Sequence, residues 1–248
     1  PLPTPEGCPH PQGMKALLLA LAVSLPAAAE PLSKRPTPQL FAALRAGFLK
    51  AAGELDGLEE NKAWLAKLPM RLENLGATTA ASYSPPSKTE PIGSINLNEE
   101  RLRLALRSLE ATGFAPEQAL PAVVWSVLPT VMHETQHAIQ ISELARRGGV
   151  EAHFVEMEVD GKAVGTVTYL QILEKRPEAA RLFMFGKSDN NDELAVWRTG
   201  LAAFRGETLE LYRAKDPLIP TLETGEAYFK NAAENLEVER ASRLTSER

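Results

Sequence analysis

Apolar residues recur at helical spacing along most of this chain. After Thr37-Pro38, a dipeptide typical of a helix start, Leu40, Leu44 and Phe48 follow one helix face that continues to residue 55. The same criteria predict further helices over 59–75, 98–111, 119–147, 150–175, 192–213 and 223–244, with interruptions at Pro69, Pro121 and Pro129. The pattern therefore predicts a mostly helical protein.

One short segment has a different period. In residues 92–97 the apolar side chains Ile95 and Leu97 are two residues apart, which is typical of a strand. The preceding segment, 77–91, is rich in Ser, Thr and Pro and is predicted to be a loop. Together with the helices, this strand predicts an α+β fold with a small sheet.

The N-terminal 29 residues do not continue this pattern. Residues 1–13 are polar and rich in proline, and we interpret them as translated sequence upstream of the true start. Met14, Lys15, the apolar run 16–25 and the Ala-x-Ala site ending at Ala29 predict a signal peptide over 14–29. A buried N-terminal helix is the alternative, whereas the run is shorter than the roughly 20 residues of a bilayer span. We therefore expect residues 30–248 to form a single exported domain, periplasmic or secreted, without a stable membrane span.

Composition narrows the possible chemistry. The chain has 248 residues, a net charge of −5 and a single cysteine, Cys8, which the predicted cleavage would remove. An internal disulfide framework and a zinc site with several cysteines are thus excluded. The acidic balance, with no dense run of Lys or Arg, disfavours a nucleic-acid partner. Any metal site must consist of histidines and carboxylates.

One motif has the residues that such a site needs. His133-Glu134-Thr135-Gln136-His137 is an HExxH sequence within a predicted helix, so its two imidazoles lie on one face, one turn apart. Glu134 is then expected to act as general base on a water at the metal. The alternative is a pair of exposed histidines beside a surface glutamate.

A catalytic zinc needs a third protein ligand. The nearby candidates are Glu143, Glu151, His153, Glu156 and Glu158. Glu156 and Asp160 share a face of the next predicted helix that continues inward, which favours Glu156 as ligand and Asp160 as acceptor for an N–H of either motif histidine. Glu158 lies about 200° away around that helix and has Lys162 at i+4, so we expect it to face water. The alternative reading of Asp160 is an acid at a helix N-terminus.

The segment 133–160 resembles the gluzincin metallopeptidases, in which HExxH is followed, after a spacer of similar length, by a Glu ligand and an Asp four residues later. The resemblance implies zinc ligands His133, His137 and Glu156, the base Glu134 and the orienting residue Asp160. It also implies a zincin-like fold: an active-site helix, a following ligand helix and a small sheet whose edge strand lies along the cleft. Residues 92–97 are the candidate for that strand. The candidates for the Tyr or His that steadies the oxyanion in larger members are His153, Tyr169, Tyr212 and Tyr228.

These features predict an exported, zinc-dependent metallopeptidase that hydrolyses a peptide or protein substrate. Two alternatives share the same metal site. One is a zinc hydrolase that acts on another amide, such as one in the cell wall. The other is an exported zinc-binding module without catalytic activity. Glu134 separates the enzymes from the binding module, because only the enzymes need a base beside the metal.

Overall fold

The computed structural model describes residues 30–76, 79–146 and 154–176, together with five isolated positions between 203 and 210. The side chains of residues 154–156 lie outside this description. So do the predicted signal peptide, the predicted helix 223–244 and nearly all of the predicted helix 192–213. The chain divides after Glu30 into two compact units, and every element below belongs to the second. Within the described ranges, no helix is long and apolar enough to cross a membrane.

The described elements confirm a predominantly helical α+β fold. In chain order they are a 3-10 turn (Leu32–Lys34), α1 (Thr37–Gly53), α2 (Glu59–Lys67), β1 (Met70–Glu73), β2 (Ala81–Ser84), β3 (Ser94–Asn98), α3 (Glu99–Ala111), α4 (Pro116–Arg146) and α5 (Phe154–Lys175). The predicted stripe on α1 is confirmed, because Leu40, Leu44 and Phe48 are fully buried.

Among the described residues the sheet is mixed and three-stranded, with the order β1-β3-β2. Its central strand β3 is parallel to β1 and antiparallel to β2. The strand prediction at 92–97 is thus confirmed, with Ile95 and Leu97 fully buried. The expectation that this segment is the edge strand beside the motif helix is wrong. β2 is the edge strand that contacts α4, because β3 is covered by a strand on both sides.

Two strands lie where the sequence predicted other structure. β1 falls in the predicted helix 59–75, which ends at Lys67 because Leu68, the residue before Pro69, is extended. β2 falls in the predicted loop 77–91. Each strand has four residues, so its alternation is too short to stand out, and each forms by pairing with β3.

The motif helix α4 is continuous, and the predicted breaks at Pro121 and Pro129 are wrong. An interior proline costs a helix about 3 kcal/mol, because it removes one backbone hydrogen bond and crowds the preceding turn. Burial offsets this cost. From Val123 to Val131, every residue of α4 except Thr130 is buried, and the helix packs against α1, α2, α3, α5 and β2. It is therefore a central core helix rather than an amphipathic surface helix.

Candidate metal centre

Helix α4 brings the two motif histidines together, as the i, i+4 spacing predicts. The Nε2 atoms of His133 and His137 are 3.0 Å apart, and the two rings are nearly perpendicular, at 85°. Both Nε2 atoms therefore point to one small volume beside the helix. His137 is buried, at 5% exposure.

A carboxylate from α5 meets this pair, and it belongs to Glu158. Its Oε2 lies 3.4 Å from His133 Nε2, and its Oε1 lies 3.4 Å from His137 Nε2. The expectation that Glu158 faces water is wrong, because the residue is only 6% exposed. The side chain of Glu156 lies outside the description, so its role as ligand stays a prediction.

Two glycines explain how α5 comes this close to His133. Gly161 and Gly165 lie three and seven residues after Glu158, on the same face of α5. A Cβ on Gly161 would lie 3.0 Å from His133 Cε1, and one on Gly165 would lie 3.2 Å from the carbonyl oxygen of Pro129. The absence of side chains there lets α5 approach α4 and bring Glu158 to the histidines.

The donor set is compatible with a metal ion such as zinc. In a tetrahedral site with bonds of about 2.0–2.2 Å, neighbouring ligand atoms lie about 3.3 Å apart. The two Nε2 atoms here are 3.0 Å apart, and each lies 3.4 Å from a different oxygen of the Glu158 carboxylate. Two imidazole nitrogens and a carboxylate are also donors that zinc accepts. Ligand atoms of His133, Glu134 and His137 likewise lie within 4.8 Å of one another.

Glu134 is held against the edge strand. Its Oε2 accepts a hydrogen bond of 2.8 Å from the backbone N–H of Tyr83 in β2. The pKa of Glu134 rises from 4.5 to about 7, chiefly because burial disfavours the charged form. The charge of Glu158 raises this pKa further, while His133 and the Tyr83 N–H act in the opposite direction. Glu134 can therefore exchange a proton near neutral pH.

The pKa of His137 moves the other way. Burial and the neighbouring His133 lower it from 6.5 to about 4, although Glu158 and Gln140 act to raise it. The imidazole is thus neutral at pH 7. A neutral ring keeps a nitrogen lone pair for a metal, so no proton must be displaced from a charged imidazolium.

Asp160 is linked to the histidines through Gln140. His137 Nδ1 lies 3.0 Å from Gln140 Oε1, and Gln140 Nε2 donates to Asp160 Oδ2 at 3.2 Å and to the carbonyl oxygen of Met157 at 3.1 Å. The sequence predicts that Asp160 accepts directly from a motif histidine. On the His137 side, Gln140 lies between the two residues instead. Asp160 itself is exposed.

Sequence reasoning missed Gln140 and Tyr83, and it placed Glu158, one of its candidate ligands, on the solvent side of α5. Gln140 follows His137 by three positions, and Glu158 precedes Gly161 by three positions, so helical spacing could have indicated both. Tyr83 contributes a backbone N–H from a segment without a local signal. Among the oxyanion candidates, Tyr169 packs in the main core, and the other three lie beyond the described ranges.

No protein-family model, curated protein or solved structure matches this chain. The resemblance to gluzincins is thus carried by the residues of the motif and by their chemistry. A function for the protein has to be argued from the site itself.

Proposed function

We propose that this protein is an exported zinc-dependent metallopeptidase that hydrolyses peptide bonds in a peptide or protein substrate. The observation that carries the proposal is the meeting of the His133 and His137 Nε2 atoms with the Glu158 carboxylate, close to a ligand atom of Glu134. Three protein ligands leave one position of a tetrahedral zinc for water, which is the composition of a catalytic rather than a structural site.

Glu158 replaces Glu156 as third ligand in this proposal. The two residues are about 200° apart around α5, so one ion can take only one of them. Glu158 approaches both Nε2 atoms at 3.4 Å, which favours it. When bound, the zinc would supply a Lewis acid that acidifies water and polarises a substrate carbonyl.

Glu134 supplies the proton transfer. The Tyr83 N–H holds its Oε2 and so orients the carboxylate beside the histidines. A base with a pKa of about 7 can take a proton from the attacking water and return it to the leaving amine at neutral pH. A bound cation would lower this pKa and keep Glu134 in its basic form before the reaction.

The edge strand supports a peptide as substrate. The backbone N–H of Asn98 donates to Ala80, and antiparallel pairing alternates, so the backbone groups of Ala81 and Tyr83 point away from β3. The Tyr83 N–H reaches Glu134 on that outer side. An extended peptide along this edge would lie beside the base and the three ligands, and it would pair at Ala81 rather than with the Tyr83 N–H, which Glu134 holds.

The decisive experiment compares Glu134→Gln with wild type. We expect the variant to bind zinc as tightly as wild type but to cleave a peptide library at least about 100-fold more slowly, by mass spectrometry. Glu117→Gln, an exposed glutamate on the same helix, is the matched control and should keep the full rate. Wild-type cleavage by Glu134→Gln would exclude it as the base. Zinc binding without any hydrolysis would favour the binding module, and cleavage of cell-wall amides alone would favour the other hydrolase.

The ligand assignment has its own test. We expect Glu158→Gln to weaken zinc binding by at least about 100-fold, the upper end of the effect of an outer-shell residue. Glu156→Gln on the same helix should stay within about threefold of wild type. Competition with a chromophoric chelator measures both affinities. The opposite order would restore Glu156 as the ligand.

A further inference from the structure

We propose that Gln140 is a positioning residue that fixes His137 as the tautomer protonated at Nδ1 and so presents the Nε2 lone pair to the metal. The part of this inference that concerns zinc rests on the proposed function. Gln140 is a buried side chain one turn beyond His137 on α4, and its two amide atoms contact different partners. It acts on the metal only through His137.

The backbone of α5 sets the direction of the Gln140 amide. The carbonyl oxygen of Met157 can only accept a hydrogen bond, so the atom 3.1 Å from it must be the NH₂ group of Gln140. Oε1 then faces His137 Nδ1 at 3.0 Å, and this oxygen can only accept. The proton of the neutral imidazole must therefore be on Nδ1.

This tautomer has a consequence for the pair of histidines. With its proton on Nδ1, His137 has a lone pair on Nε2, the atom that faces His133 Nε2 at 3.0 Å. In the metal-free protein, His133 must then donate its Nε2–H across this contact. The two motif histidines are thus expected to be opposite tautomers before metal binds.

Burial makes the Met157 carbonyl the anchor of this arrangement. Gln140 is 9% exposed and Met157 is 4% exposed, so their hydrogen bond is protected from competing water. Asp160 also accepts from Gln140 but is exposed, where its charge is screened. Met157 directly precedes Glu158. Gln140 therefore links His137 to the turn of α5 that provides the third donor.

The competing interpretation is that Gln140 only ties two helices together. Gln136 offers a matched control, because it lies on α4 and accepts a hydrogen bond of 2.9 Å from Asn61 of α2. It too is a glutamine that joins neighbouring helices. A purely structural role predicts that the same substitution at either position affects zinc binding equally.

The experiment compares Gln140→Met and Gln136→Met in the full chain. Methionine keeps the length of the side chain but cannot reproduce the two-ended amide hydrogen bonding. We expect Gln140→Met to weaken zinc binding about 10–100-fold, and Gln136→Met to stay within about threefold. Imidazole ¹⁵N shifts should show the Nδ1–H tautomer of His137 in metal-free wild type and in Gln136→Met, but a mixture of tautomers in Gln140→Met.

Two outcomes would overturn the role of Gln140. They are equal zinc affinities of the two methionine variants and an Nε2–H tautomer of His137 in the metal-free wild type. The wild-type tautomer needs no variant, so the test stands even if Gln140→Met does not fold. A wild type that binds no zinc would overturn the proposed metal centre, and the tautomer measurement would still decide the role of Gln140.

Discussion

Glu134 and His137 should oppose each other in the pH dependence of the metal-free protein. The pKa of Glu134 rises from 4.5 to about 7 on folding, so its contribution to stability is full below pH 4.5 and is lost as the pH rises through 7. The pKa of His137 falls from 6.5 to about 4, so its contribution is full above pH 6.5 and is lost as the pH falls through 4. The two pH ranges overlap. As the pH of wild type rises through them, the stability lost at Glu134 and the stability gained at His137 therefore nearly cancel.

Glu134→Gln removes the pH-dependent contribution of Glu134 and leaves that of His137. A shift from 4.5 to about 7 corresponds to about 3 kcal/mol, and because Glu134 keeps some exposed surface we expect about 2–3 kcal/mol. At pH 8, where the buried carboxylate of wild type is charged, the unfolding free energy of the variant should be higher than that of wild type by this amount. At pH 4.5, where it is protonated in the folded protein, the difference should fall to about 0.5 kcal/mol.

Urea unfolding of chelator-treated protein, followed by far-ultraviolet circular dichroism at pH 8 and pH 4.5, measures this difference. The exposed Glu117→Gln is the control, and its difference from wild type should change by less than about 0.5 kcal/mol between the two pH values. If the advantage of Glu134→Gln were the same at both pH values, the carboxylate of Glu134 would not be buried as the structure places it.

Three further variants test the packing at Gly161, in the main core and at the start of α3. Gly161→Ala should weaken zinc binding about tenfold in a chelator competition, because the new Cβ would lie 3.0 Å from the first motif imidazole; Gly53→Ala, with nothing within 4 Å, should leave zinc affinity unchanged. Phe48→Ala should lower the unfolding free energy in urea by about 3–5 kcal/mol, against less than about 0.5 kcal/mol for the exposed Leu104→Ala. Asn98→Ala should cost about 2–3 kcal/mol in the same assay, because it removes the N-cap of α3 and two partly buried hydrogen bonds to loop carbonyls. A loss below about 0.5 kcal/mol would contradict the cap.

The helices could be predicted because their signals are local. Thr37-Pro38 and the stripe after it define α1, and Asn98 followed by two glutamates defines the start of α3. The short strands β1 and β2 could not be predicted in this way, since each has only four residues and is stabilised by pairing with β3 rather than by a local pattern. The two prolines of α4 misled for a similar reason, because burial of the whole helix outweighs a local penalty.

The residues of the site also divide into those set by local sequence and those set by the packing of two helices. His133, Glu134 and His137 are fixed by the geometry of one helix turn, whereas the choice between Glu156 and Glu158 depends on the rotation of α5 relative to α4. The sequence argument assumed that a glutamate and a lysine at i, i+4 mark a solvated face. That assumption holds only for a helix with one solvent-exposed side. On α5 both Glu158 and Lys162 are buried, at 6% and 8% exposure, so charge spacing does not report solvent there. The glycines that let this helix pack tightly are the better guide to its orientation, because they mark the face that must touch α4.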